Sequence, residues 1–168
     1  VHYAMGNQSS DSDRLVAYSQ PRASGAARNI FILQKIFLTG NARLSQPELQ
    51  CLAERIDYQP AVEIEEALKT DNLSGRPQLI TMSGGSGDTR PRLKLIDEKG
   101  KASLFIADAQ EILSTPQITK FFLRGGVTMK NDNADATCEL LEGLAKANEA
   151  GKQTTELIVG RGNVKIVA

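Results

Sequence analysis

The chain has 168 residues, 40% hydrophobic and 24% charged, and its 20 basic residues balance its 20 acidic ones. This length and composition predict a single globular domain with its own core and exclude a disordered chain. A balanced charge gives no global field to attract nucleic acid or an anionic membrane, and no run of about 18 apolar residues could span a bilayer. We therefore expect another protein, rather than nucleic acid or a membrane, as the partner.

The first 23 residues are rich in Ser, Asn, Gln, Asp and Gly. Such a composition buries too little apolar surface to offset the entropy lost on ordering. We expect residues 1–23 to be a flexible polar arm or linker and residues 24–168 to be one domain. Because the sequence starts with Val1 instead of Met, we also expect a fragment of a longer bacterial protein.

Three helices are predicted between residues 24 and 69. Ser24 can cap a first helix over Gly25–Leu38. The capping box Ser45-Gln-Pro-Glu48 would start a second helix, because each of its end residues can satisfy a free backbone N–H of the other. A third helix would run from Pro60 to Lys69.

Two short helices joined by a tight turn suggest a helix-turn-helix that binds DNA. The second of them carries Glu63 and Glu66, whose carboxylates would be repelled by phosphates. We therefore predict that this acidic face, Glu63 and Glu66, binds a protein partner.

After residue 77 the pattern changes from helical to mixed. Alternating apolar residues and turn residues predict strands over Gln78–Met82, Leu93–Ile96 and Ala102–Ala107. The last two form a hairpin around Asp97–Gly100. Asp108 can cap a short helix over Ala109–Leu113.

The C-terminal unit, Ile118–Ala168, has the predicted order strand, helix, strand. Gly125-Gly126 is interpreted as a turn and Asn131–Asp135 as the cap of a long helix over about Asn133–Glu149, with strands at Thr154–Val159 and Val164–Val167. The prediction is an α+β fold: N-terminal helices packed on a small mixed β-sheet with one long crossing helix near the C-terminus. No internal repeat is visible, and this unit is expected to be a scaffold.

The run from Lys120 to Val159 resembles the central half of STAS domains, the fold of anti-sigma-factor antagonists, in its order of strand, polar turn, helix and strand. In that family the turn leads into a helix with a regulatory phosphorylated Ser or Thr. The turn here, Asn131–Asp135, has neither, and Thr137 is the nearest. The resemblance implies a regulatory domain without that phosphorylation switch.

The glycine-rich loop Ser83–Pro91 offers backbone N–H groups that can approach a phosphate closely, with a hydroxyl and two cations beside them. The candidate ligand-binding residues are Gly84, Gly85, Gly87, Thr89, Arg90 and Arg92. The loop lacks the P-loop pattern and leads into a strand instead of a helix. A mobile hairpin loop is the preferred interpretation. The alternative is a phosphate- or nucleotide-binding protein, or an enzyme, that uses the loop over residues 83–92.

No metal site, cofactor or catalytic centre is predicted. The one histidine, His2, lies in the expected arm, and Cys51 and Cys138 have no ligand partner nearby in sequence. The two cysteines are predicted to be buried free thiols in a reducing compartment, the cytoplasm; a secreted effector or a part of a larger assembly is the alternative. The predicted function is a non-catalytic protein-interaction or regulatory module.

Overall fold

The computed structural model describes residues 1–5, 7–22, 30–62, 77–148 and 153–167, and these form an all-β fold. Thirteen strands pair in one antiparallel sheet. In chain order they are β1 (His2–Met5), β2 (Gln8–Asp11), β3 (Arg14–Arg22), β4 (Ile30–Gln46), β5 (Leu49–Gln59), β6 (Gln78–Ser83), β7 (Arg92–Ile96), β8 (Ala102–Ile106), β9 (Ala109–Ser114), β10 (Ile118–Lys130), β11 (Asp135–Ala147), β12 (Gln153–Arg161) and β13 (Lys165–Val167). The one helical segment in the described ranges is a 3-10 turn at Gly87–Thr89.

Six of the strands close into a barrel. Around the barrel, β5 pairs with β6, β6 with β9, β9 with β10, β10 with β8, β8 with β7, and β7 with β5 again. The closure depends on β5 and β10, which are long enough to change neighbours partway along. β1 to β4 extend the sheet beyond β5, and β11 to β13 extend it beyond β10.

The barrel interior is filled by side chains that alternate with outward-facing ones, the period of two that strands impose. One register row of inward side chains crosses six strands and is almost fully buried: Leu38, Ile56, Met82, Gln110, Leu123 and Leu141. The polar member, Gln110, donates from Nε2 to the Pro91 carbonyl at 2.6 Å. This bond pins the end of the glycine-rich loop to the barrel.

Strands bend at four glycines, and the bends line up across the sheet. We call these two-residue segments the glycine corners: Gly40-Asn41, Gly84-Gly85, Gly125-Gly126 and Gly162-Asn163. The first glycine of each has φ between 72° and 86°, a region that favours glycine. At each corner, a carboxylate from a neighbouring segment crowds the place where a Cβ would stand. Glu54 and Glu139 lie on β5 and β11, and Asp13 and Asp108 lie directly before β3 and β9. The structure thus contains an acid-and-glycine pattern that recurs across the sheet.

The α+β prediction is wrong because the predicted helices in the described ranges are strands. The described part of Gly25–Leu38, from Ile30 onward, lies in β4, and Ala109–Leu113 lies in β9. The capping box Ser45–Glu48 is the end of β4 and the two-residue turn to β5. Of the third helix, Pro60–Lys69, residues from 63 onward lie outside the described part.

The long crossing helix at Asn133–Glu149 is replaced by β11, which pairs with β10 on one side and β12 on the other. The Asn131 Oδ1 atom accepts the N–H groups of Asn133 and Ala134, each at 2.9 Å. These bonds form the turn between two strands instead of a helix cap. Without the helix, the resemblance to STAS domains is lost.

Residues 1–22 are also not a flexible arm. β2 and β3 both pair with β4, and β1 pairs with β2. Backbone pairing compensates for the polar composition, and small hydroxyl residues, Ser10 and Ser12, occupy the buried positions. The boundary predicted at residue 23 therefore does not separate an arm from the sheet.

The predicted strands and hairpin are confirmed. Gln78–Met82 lies in β6, and Thr154–Val159 lies in β12. β7 and β8 form the expected hairpin, in which Gly100 has φ 77° and the Asp97 carboxylate accepts two backbone N–H groups of the turn.

Candidate partner-binding site

The C-terminal edge of the sheet is formed by β12 and β13. Among the described residues, both strands pair with β11 and with nothing on their other side. The outer N–H and C=O groups of such an edge are a template for a further strand. We call β12, Gly162-Asn163 and β13 together the open edge.

The apolar rows of the core continue into the open edge but lose their cover there. One row runs through Ile112, Phe121 and Gly143 to Ile158, and exposure rises from 0% at Phe121 to 37% at Ile158. The facing row runs from Phe105 through Met129 and Ala136 to Ile166. Exposure there rises from 0% at Phe105 to 69% at Ile166.

The other face of the open edge is apolar as well. Leu157 is 54% exposed, and Val167 is 69% exposed. Alternate residues of a strand point to opposite faces, so β12 presents Leu157 on one face and Ile158 on the other. An edge that is unpaired and apolar on both faces is a typical site of strand addition.

The N-terminal end of the sheet exposes fewer aliphatic side chains. There the row through Leu44 and Ser10 continues to Tyr3 on β1, and exposure rises from 3% at Ser10 to 36% at Tyr3. The free edge of β3 includes Pro21, which has no N–H to offer a partner strand, and such residues are a common means of blocking edges. In the described ranges the two ends therefore differ in degree. Exposed Tyr3 and Tyr18 lie on β1 and β3, whereas Leu157, Ile158 and Ile166 give the C-terminal end a largely aliphatic exposed surface.

Cys138 lies beneath the open edge, on β11. Its thiol is buried and unpaired, as is that of Cys51 in β5, so the predicted free thiols are confirmed although both lie on strands. Burial raises the pKa of each thiol, which keeps it protonated and unreactive. Cys138 packs where β12 turns into β13, since its Sγ would be 3.5 Å from a Cβ placed on Gly160.

The structure places the predicted phosphate-binding residues in one largely exposed segment, where several of their donor groups bond to other groups of the protein. The Gly85 N–H donates to the Glu54 carboxylate at 2.8 Å. Arg90 donates from Nη2 to the carbonyls of Gly125 and Gly126, at 2.8 and 2.7 Å.

The remaining loop residues make local contacts. Arg90 also forms an ion pair with Asp108, in which Nε lies 2.8 Å from Oδ1 without forming a hydrogen bond. Arg92 donates to the Asp88 carbonyl, and the Thr89 hydroxyl bonds to the Ser86 carbonyl at 2.9 Å. Gly84 and Gly87 have positive φ. Arg90 and Arg92 thus both donate to backbone carbonyls of the protein.

A cavity of about 310 Å³ lies beside this loop. Its walls include Glu54 and Asp88, with Asn41 and Thr89 beside them. Two carboxylates in the wall would repel a phosphate, so the cavity does not favour the anion hypothesis. The other predicted surface, Glu63 and Glu66, lies outside the described residues.

The described residues contain no group of three His, Cys, Asp or Glu side chains that could hold a metal ion. No helix among them has the length and apolar character needed to cross a membrane. Comparison with known proteins finds no family model and no curated protein that matches this sequence.

Sequence reasoning missed the open edge because it assigned Ile118–Ala168 to the scaffold. The signal was present in Thr154–Val159, the most strand-like run of the chain, and in the second apolar run that follows it, Val164–Val167. Only the pairing order shows that these runs form the last strands of the sheet.

Proposed function

We propose that this protein is a non-catalytic interaction module that binds an extended strand of a partner protein at the open edge. The observation that carries the proposal is the continuation of both core rows into exposed apolar residues, Ile158 and Ile166, on strands whose outer side pairs with none of the described residues. Addition of a strand to a sheet edge gives affinity through main-chain hydrogen bonds and specificity through alternate side chains. The partner strand supplies both the main-chain hydrogen bonds and the alternate side chains.

The expected contribution of the apolar residues follows from their exposure. Complete burial of a Leu, Ile or Val side chain stabilises by about 1.5–3 kcal/mol. Leu157 and Ile166 are 54% and 69% exposed, so covering them contributes about 1 kcal/mol or more each. Replacing both by lysine therefore weakens binding about 30-fold or more.

Cytoplasmic location and a regulatory role are part of this proposal. The location rests on the two buried free thiols, Cys51 and Cys138, which suit a reducing compartment. The regulatory role rests on a strand site that can be occupied or empty without any change in the core.

The experiment is site-specific photo-crosslinking in the source cells. A crosslinking amino acid at Leu157 or at Ile166 is expected to capture the same short segment of one partner. The same amino acid at Ser83, exposed on β6 and far from the open edge, is the matched control and is expected to capture nothing specific.

A charge variant completes the test. Leu157→Lys with Ile166→Lys is expected to abolish co-purification of the partner, whereas Ser83→Lys with Ala109→Lys, at exposed positions on β6 and β9, is expected to retain it. Crosslinks concentrated at Ser83, or a partner retained by the first variant, would show that the working surface is elsewhere.

A further inference from the structure

The glycine corners suggest what kind of strand the open edge accepts, and this inference rests on the proposed function. Register places a carboxylate on the strand that follows each of the first three corners in the sheet. Arg55 pairs with Thr39 and Ala53 with Ala42, so Glu54 stands opposite Gly40-Asn41. The corner therefore has an acidic residue on its far side.

The next two corners follow the same rule. Ala109 pairs with Ser83, which places Asp108 beside Gly84-Gly85. Leu140 pairs with Arg124 and Cys138 with Val127, which places Glu139 opposite Gly125-Gly126. In all three cases the residue after the acid pairs with the residue before the glycine.

The fourth corner, Gly162-Asn163, is the one without a following strand in the described residues. Cations flank it on the open edge. Arg161 has a side chain that is 65% exposed, with Nη2 3.9 Å from Glu142, a distance that makes a weak ion pair. Lys165 is exposed and forms no ion pair with another described residue. A carboxylate arriving here would meet both cations, with apolar β12 and β13 on either side.

We infer that the partner strand carries an Asp or Glu at its bend, runs antiparallel to β12, and pairs the residue after this acid with Arg161. Apolar residues on both sides of the acid cover Leu157 and Ile158 in one direction and Ile166 in the other. The occupant is thus an apolar, acidic, apolar strand of a protein. A wholly apolar ligand is the competing occupant, and the experiment distinguishes the two.

The probe is a synthetic peptide with the sequence Ile106–Ser114, which contains a natural example of such a bend at Asp108. Its matched control is the same peptide with Asp108→Asn. Each is titrated into the 168-residue chain while the backbone amide signals of β12 and β13 are followed by NMR. We expect shifts confined to the open edge and about tenfold tighter binding of the Asp peptide, since a charge-assisted hydrogen bond is about twice as strong as a neutral one.

The chain variant Arg161→Ala with Lys165→Ala is expected to bind both peptides with equal affinity. In the unaltered chain, added salt is expected to reduce the difference in affinity between the Asp peptide and the Asn peptide. Equal binding of the two peptides to the unaltered chain would overturn the acidic-strand inference while leaving strand addition intact. If neither peptide shifts the open-edge amides, or if the shifts lie elsewhere, strand addition at this edge is itself refuted.

Discussion

Gly143→Ala distinguishes the β-structure from the helix that the sequence suggested, because the two predict opposite signs. In β11, Gly143 pairs with Phe121, and the Phe121 ring lies across it so closely that a Cβ at position 143 would overlap the ring. Phe121 is fully buried and packs against Phe105 with ring centroids 5.1 Å apart. The ring has no free space into which it could move.

The expected loss follows from overpacking. An extra methyl group in a close-packed core costs about 1–3 kcal/mol, and for a chain of this length each kcal/mol lowers Tm by about 2–4 °C. In a solvent-exposed helix, by contrast, Gly→Ala would stabilise by about 1 kcal/mol. Urea and thermal unfolding followed by circular dichroism measure the difference directly.

Gly160→Ala is the matched control. Gly160 lies in β12, outside the left-handed φ region, and a Cβ there would be 3.5 Å from its nearest neighbour. The Gly160→Ala variant is expected to have an unchanged or slightly higher free energy of unfolding. Phe121→Leu should partly relieve the cost of Gly143→Ala, with a coupling energy of about 0.5–3 kcal/mol. A Gly143→Ala variant as stable as the original chain would refute the register of β10 and β11.

The remaining predictions concern the loop, the corners and the thiols. Arg90→Ala is expected to lower the free energy of unfolding by about 2 kcal/mol, because two carbonyls lose a charged donor. If nucleotides stabilised the original chain and Arg90→Ala abolished that effect, the phosphate hypothesis would be supported instead. Gly125→Ala, where Asp108 blocks a Cβ, is expected to destabilise more than Gly100→Ala, which has similar φ but open space; equal losses in the two urea titrations would contradict the corner geometry. Burial raises the pKa of Cys51, so its contribution is intact below the unfolded pKa of about 8.5 and declines by about 1.4 kcal/mol per pH unit above it. Urea midpoints at pH 8 and 9.5 should show this decline in the original chain and a smaller one in Cys51→Ala, which keeps the raised pKa of Cys138.

The sequence predicted some strands but not the fold, and β11 shows why. Leu140, Leu141 and Leu144 have helical spacing, yet only Leu141 is buried with Gly143 and Ala145 on the inward face. The small inward residues hide the period of two, because Phe121 of β10 fills the space that their side chains would take. That compensation comes from another strand and cannot be read within β11.

The capping box at Ser45–Glu48 shows a similar limit. The same residues that can cap a helix also suit a two-residue turn, and β4 and β5 pair on both sides of it. Tertiary pairing decides between these local alternatives. The strands predicted correctly, such as β7 and β8, are those whose turn, Asp97–Gly100, satisfies its own backbone through local hydrogen bonds.

The candidate site was even harder to predict from the sequence than the fold, because it depends on the order of the strands in the sheet. Ile158 and Ile166 belong to runs that the sequence already marked as strands, but their exposure follows from being last in the sheet. In the sequence the glycine corners are visible only as separate Gly-Gly or Gly-Asn pairs at unequal spacing. Only the register of the strands shows that they lie next to one another in the sheet.

Hydrogen exchange of the β12 amides, with and without the crosslinked partner, tests the central claim most directly. In the free chain, outward amides of β12 are expected to exchange faster than those of β5, which is paired on both sides. With the partner bound, the β12 amides should gain at least tenfold protection while those of β5 stay unchanged. Unchanged exchange in β12, with new protection at another surface, would contradict strand addition at the open edge.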